Sequence, residues 1–288
     1  MPSDSNTGSL FHQRTLDYLN LLPVQNEETA DSLRALELYV GVNLPPSVHE
    51  WFSYPNAAKL IRFNDDHVLD VDQFELKSNP LFNHHPKWQQ GVIKPSQMMF
   101  ITSPDKTLID ENLLVVIVEN QGVYEWAVDL NGSDDPPVLM KQNEPNQAWK
   151  PCSPTFSDFV FARAWDTRVM FNELSLWGST GKLTADDLTT IENWYDVLPV
   201  HCNLPQYERC FRFQRDEQCI FICQDDRDSR MFWHMTSKTS ESLKVLLKQI
   251  GSIQDVLHRL EAFYDSSFAV AVLEQAIIEV DSSYGSSI

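Results

Sequence analysis

The sequence predicts an α+β protein: a mixed, largely antiparallel sheet flanked by helices, followed by a C-terminal α+β extension. Three observations carry this reading. Apolar residues recur at helical spacing through the first fifty residues and again over 156–170 and 240–250. Two groups of short apolar runs, within 98–140 and 210–235, are separated by turn-forming residues. Polar turns such as Asn120-Gln121-Gly122 join neighbouring runs as antiparallel hairpins.

The elements follow in chain order. Residues 1–8 are polar and read as frayed. Leu10, Phe11, Leu16, Leu19 and Leu22 predict a first helix that Pro23 ends. Leu33, Leu36 and Val40 line a second helix over 29–40, with Gly41 as its C-cap. Pro46 opens a third, whose apolar face is Val48, Trp51 and Phe52. From residue 57 the pattern becomes short and extended, at 60–63 and 68–71, and residues 77–97 read as a long loop. Strands are predicted at 98–102, 113–119, 123–130 and 138–140, with Asn120-Gln121-Gly122 turning the middle pair into a hairpin. A helix over 156–170 takes Ser153 or Thr155 as its cap.

Trp177-Gly178-Ser179-Thr180-Gly181 reads as a boundary between domains 1–177 and 178–288. Beyond it, Thr184 and Asp187 form a capping box for a helix running to Tyr195. Strands at 210–214, 219–224 and 230–235 are joined by polar turns. A helix over 240–250 ends at Gly251, Ser252 with Asp255 opens another, and the last ten residues read as loose.

Hydrophobic residues make up 42% and charged residues 22%, the balance of a chain that folds around a core. At 288 residues that core needs neither disulfide nor metal. Against 22 Lys plus Arg stand 41 Asp plus Glu, a net charge of −19. Both domains share the sign, so neither nucleic acid nor an anionic membrane is an expected partner. Met1–Ser5 lacks the charge and apolar core of a secretory signal. Leu113–Val118 is too short to span a bilayer. Five cysteines, an odd number, read as reduced thiols, and the cytoplasm is the expected compartment.

Chemistry-bearing motifs are weak. Gly178-Ser179-Thr180-Gly181-Lys182-Leu183 has the wrong spacing for a phosphate loop and places Leu where Ser or Thr is needed. Asp129–Asp135 offers alternating oxygens, but Asp134 stands at the glycine position of a calcium loop and Met140 at the glutamate position. Cys202, Cys210, Cys219 and Cys223, with His201 and His234, lack the paired close spacing of a zinc ribbon. His84-His85 has no partner motif nearby, and Asn131-Gly132-Ser133 reads as a turn. No nucleophile elbow is present, and the carboxylate pairs Asp65-Asp66 and Asp186-Asp187 diverge on any regular element. No metal and no cofactor is expected.

Two stretches carry a resemblance. One runs from Leu36 through Gly41-Val42-Asn43-Leu44-Pro45-Pro46 to Trp51-Phe52, and the other is Val118-Glu119-Asn120-Gln121-Gly122-Val123-Tyr124-Glu125-Trp126. Asp134-Asp135-Pro136-Pro137, Trp149 and Phe156–Val160 follow in order. This order resembles the SUKH superfamily, best over residues 28–165, which includes fungal cell-wall assembly regulators and bacterial immunity proteins. The resemblance implies an α+β protein-binding domain without catalytic residues, in many members an immunity protein that neutralises a cognate toxin by covering it. An acidic surface suits a toxin whose active cleft is basic. Partner-binding candidates are Asp65, Asp66, Trp88, Tyr124, Asp134, Asp135 and Trp149. Two rivals stand beside this expectation. One is a hydrolase with a dispersed site around Glu119, Asp129 and His234, and the other is a regulatory scaffold with several partners.

Overall fold

The chain divides into two units, Met1–Ala164 and Trp165–Ile288, in a computed structural model. The structure describes residues 10–24, 29, 31, 33–34, 37, 43–69, 74–75, 92–93, 109–110, 112–144, 147–204, 207–225, 227–253, 256–262 and 266–285.

In the first unit, α1 (Gln13–Leu19) stops at Asn20, whose φ of 55° places it in the left-handed region. Asn tolerates that conformation, so the helix ends three residues before Pro23. Its N-terminus is satisfied from outside. The carboxylate of Glu50 accepts the N–H groups of Phe11 (3.1 Å) and His12 (2.9 Å). Glu50 lies on α2 (Pro46–Phe52), where Pro46 occupies the first turn as expected. Val48, Trp51 and Phe52 of α2 are fully buried, each side chain contributing about 1.5–3 kcal/mol of apolar burial. A one-turn helix, α3 (Ala57–Leu60), follows.

The first sheet is antiparallel. Its strands β1 (His67–Val68), β5 (Leu113–Val118), β6 (Tyr124–Asp129), β7 (Val138–Gln142) and β8 (Lys150–Ser153) lie in that order, and β4 (Ile109–Asp110) also pairs with β5. All six residues of β5 are buried, as a continuous apolar run predicts. The β5–β6 turn closes through Gly122, whose φ is 74° and whose N–H donates to the Glu119 carbonyl at 2.7 Å. Strands β2 (Phe74–Glu75) and β3 (Val92–Ile93) form a separate antiparallel pair. The helix α4 (Phe156–Met170) is capped by Thr155, whose hydroxyl accepts the Asp158 N–H at 3.1 Å.

The second unit holds its own six-stranded antiparallel sheet. Its order is β10 (Asp196–Val197), β11 (Tyr207–Arg215), β12 (Gln218–Asp225), β13 (Met231–Ser237), β9 (Ser175–Thr180) and β14 (Leu260–Ala262). On one face, Phe213, Ile220, Trp233 and Met235 share a core with Ile191 of α5 (Ala185–Trp194), Leu243 and Leu247 of α6 (Ser240–Ile250), and Val272 of α7 (Ser267–Gly285). On the other face, Arg212 and Phe221 are buried. The indole of Trp165 meets Phe221 edge-on at 5.9 Å and donates to Gln214 at 3.0 Å. The Thr184–Asp187 capping box is formed as expected.

Four expectations are corrected. Trp177–Gly181 is not a boundary turn: Ser175–Thr180 is a strand inside the second sheet, and the units divide between Ala164 and Trp165. Gly178 is there because a Cβ would lie 2.1 Å from the Arg259 carbonyl oxygen, where the chain enters β14 alongside β9. The run expected to be extended at 60–63 is not a strand: Leu60 closes the helix Ala57–Leu60, and 61–63 form a turn and irregular chain. Ser252 opens no long helix; a single 3-10 turn at Leu257–Arg259 leads straight into β14. The tail read as loose is helical through Gly285, because Ala269, Val272, Leu273 and Ala276 bury one side of α7 despite its Ser-rich end. The strand expected at 98–102 and the loop residues His84, His85 and Trp88 lie outside the described residues. So does most of the second helix, whose described residues 29, 31, 33, 34 and 37 are helical.

Candidate functional site

The hairpin end of the first sheet is built from three turns. At the first, Asn64 and Asp65 both adopt left-handed backbone, with φ of 46° and 60°. That twist exposes the Asp65 side chain and turns its neighbour Asp66 inward. The second turn is the β5–β6 tip. There the Asn120 N–H donates to Asp66 Oδ1 at 3.2 Å, and the Asn120 amide donates to the Asn64 carbonyl at 2.7 Å. Glu119 Oε2 accepts the N–H groups of Gln121 (2.9 Å) and Val123 (3.2 Å), which stiffens the tip further. At the third turn, Asn143 after β7 donates its side-chain amide to the Gly122 carbonyl at 3.0 Å.

Asp66 anchors this corner from beneath. Its second oxygen accepts from Arg163 Nη2, and both side chains are buried. The Arg163 guanidinium also lies over Phe63 (5.4 Å) and Trp126 (5.2 Å). Burial pushes the Asp66 carboxyl above its ordinary value, and Arg163 only partly offsets that. The arrangement is therefore a support: a buried ion pair fixes two turns and leaves Asp65, Gln121 and Val123 exposed on a rigid rim.

Of the predicted residues, Asp65 and Tyr124 lie at this end, with Tyr124 half-buried opposite Gln142. Asp66 supports the corner and is not itself on the surface. Trp149 lies on the opposite sheet face from Tyr124. Its ring sits 4.4 Å beneath Lys141 Nζ, and Lys141 faces Glu125 across the ladder at 3.6 Å. Asp134 and Asp135 are at the far end of β6, roughly 17 Å away along a six-residue strand. Asp135 accepts the Ser157 N–H (3.0 Å) and hydroxyl (2.5 Å) at the start of α4. The Asp134 carbonyl accepts the Ser47 N–H at 2.9 Å. That turn ties two helices to the sheet. The two acidic loops are thus separate features.

The dispersed hydrolase site does not converge in the first unit, since Glu119 stands in the β5–β6 turn and Asp129 at the opposite end of β6. In the second unit, His234 packs against Phe221 at 6.2 Å, and burial lowers its pKa to about 4. No cluster of three or more His, Cys, Asp or Glu side chains suited to a metal occurs among the described residues. No helix among the described residues is long and apolar enough to cross a membrane.

Comparison with protein-family models, characterised proteins and solved structures finds no match.

Sequence reasoning missed Gln121, Val123 and Asn143 as members of one rim. Asn120-Gln121-Gly122 carries a readable turn signal, but Asn143 joins it only through the β6–β7 register. The pairing of Asp66 with Arg163 spans 97 residues and leaves no local pattern.

Proposed function

We propose that the chain is a non-catalytic protein-binding protein that docks the hairpin end of its first sheet onto a basic surface of its partner. The observation that carries this is the buried Asp66–Arg163–Asn120 network, which spends a buried ion pair to hold exposed turns in one geometry. A rim so fixed loses little conformational freedom on binding. The net charge of −19 adds long-range steering toward a cationic partner. The SUKH resemblance of residues 28–165 points to the kind of partner: a cognate toxin whose active cleft is basic, neutralised in the cytoplasm by being covered.

The test is co-expression with each large neighbouring reading frame of the same genome, scored by growth. Rescue from one toxic neighbour, lost on Asp65→Lys while the protein stays folded, supports both the function and the surface. Rescue that survives Asp65→Lys moves the contact elsewhere. No toxic neighbour, or no rescue, removes the immunity reading.

A further inference from the structure

We propose that Cys210 and Cys223 form a reversible disulfide when the protein meets hydrogen peroxide, stapling β11 to β12. The two residues face each other directly across the antiparallel ladder, and their Sγ atoms are 3.6 Å apart. Opposed residues on such a ladder have Cα atoms about 4.5–5.5 Å apart, inside the span of roughly 4.4–6.8 Å that disulfides accept. The bond therefore needs rotation of two side chains and no movement of strands.

The pair is also chemically asymmetric. Cys210 is half-buried as a residue, whereas Cys223 opposite it is fully buried. The Leu204 N–H points at Cys210 Sγ at 3.4 Å. Burial raises the Cys210 pKa, but the Cys223 thiol, the Arg212 guanidinium and the Leu204 N–H together outweigh it and hold it below the ordinary thiol range. Cys223 is held high by burial and by its neighbour. Cys219, on the same strand, is pushed up to about 12 and stays a thiol. Cys210 is thus the attacking thiolate and Cys223 the resolving thiol.

In the first step the Cys210 thiolate attacks one peroxide oxygen. The O–O bond breaks, an S–O bond forms, and hydroxide leaves to combine with the proton Cys210 gave up on ionising. In the second, Cys223 sulfur attacks the sulfenic sulfur of Cys210. The S–S bond forms, the S–O bond breaks, and water departs carrying the Cys223 proton. Two thiols lose two electrons and two protons, and one peroxide becomes two waters.

The experiment treats the folded full-length chain with hydrogen peroxide, alkylates the remaining thiols and maps the peptides by mass spectrometry. The expected product is a linked peptide joining Cys210 to Cys223, about 2 Da lighter than the reduced pair and restored by dithiothreitol. Cys152, Cys202 and Cys219 should remain alkylatable, with Cys219 oxidising at least about tenfold more slowly than Cys210. In Cys223→Ser, Cys210 should instead stop at a sulfenic acid that dimedone captures. A different pairing, no linked peptide, or Cys210 carried on to sulfinic acid beside a free Cys223 would overturn the proposal. Should Cys223→Ser fail to fold, the wild-type map alone decides.

Discussion

Among the described residues each unit buries one arginine–carboxylate pair, and the two pairs are built differently. In the second unit Arg212 donates from Nε and Nη2 to both oxygens of Asp166, each at 2.7 Å, and from Nη1 to the Cys202 carbonyl at 2.9 Å. Its guanidinium also covers the Phe221 ring at 4.8 Å. Asp166 holds the Arg212 pKa well above its ordinary value, overcoming the cost of burial. In the first unit Arg163 reaches Asp66 through a single nitrogen, its Nε has no hydrogen-bond partner among the described residues, and burial wins at the carboxyl. A bidentate, saturated pair repays desolvation, whereas a monodentate one repays only part of it. The saturated pair behaves as a lock. The unsaturated one is a support that can give up its charge.

The largest expected effect would break this contrast if it failed. Arg212→Met leaves Asp166 buried with no counter-charge and should cost about 3–5 kcal/mol in urea unfolding. Arg163→Met should cost less, about 1–3 kcal/mol, because Asp66 keeps the Asn120 N–H and is already biased toward its neutral form. Equal costs for the two variants would show that the second donor and the third acceptor of Arg212 contribute nothing, and the contrast would fall.

The pH response sharpens the same comparison. Asp66 has a raised folded pKa, so its contribution is fully present below its unfolded value near 3.8 and is lost as pH rises through the folded value. Asp66→Asn should therefore flatten the stability profile above pH 4. His234 in the second unit has the opposite sign. Its folded pKa is lowered from 6.5 to about 4, so its contribution is present above 6.5 and is lost as pH falls toward 4. That span amounts to up to about 3 kcal/mol, and His234→Gln should remove it. His12 is lowered in the same sense as His234 by its burial beside Ser47, so acid melts of the first unit are read against a His12→Gln control. Melts of each variant at several pH values separate the three groups. If the Asp66→Asn and His234→Gln profiles shifted in the same direction, the charge states assigned to the two sites would be wrong.

How much was legible in advance follows the range of the interactions. Local signals succeeded: Pro46 at a helix start, the Thr184–Asp187 capping box, and Gly122 in a tight hairpin are written within four residues of where they act. Signals that depend on distant partners misled. Gly178 looked like a turn residue because its reason, the Arg259 carbonyl packed close by, lies some eighty positions downstream. The tail looked loose because Ser282 and its neighbours are polar, while the packing that orders α7 comes from residues earlier in the same helix. At the candidate site, Asp65 and Asp66 were legible as a pair but not as opposites. A positive φ at Asp65 sends one outward and the other to Arg163, and neither direction has a sequence mark.

The smallest expected effect on stability tests the site most directly. Asp65→Lys reverses a charge on an exposed turn whose backbone is held by Asn120 and Asp66, not by its own side chain. Lys in place of Asp at a φ of 60° loses some of the tolerance that Asp has there, yet the change should stay within about 1 kcal/mol. Association with a basic partner should respond far more, chiefly through the on-rate and its salt dependence, because a rim charge acts on encounter. Stopped-flow association at two ionic strengths separates the cases. A slower on-rate whose deficit shrinks in high salt places Asp65 in the steering surface. An unchanged on-rate beside an unchanged melting curve would make the left-handed turn at Asn64-Asp65 a device of folding alone, shaped to feed Asp66 into its arginine.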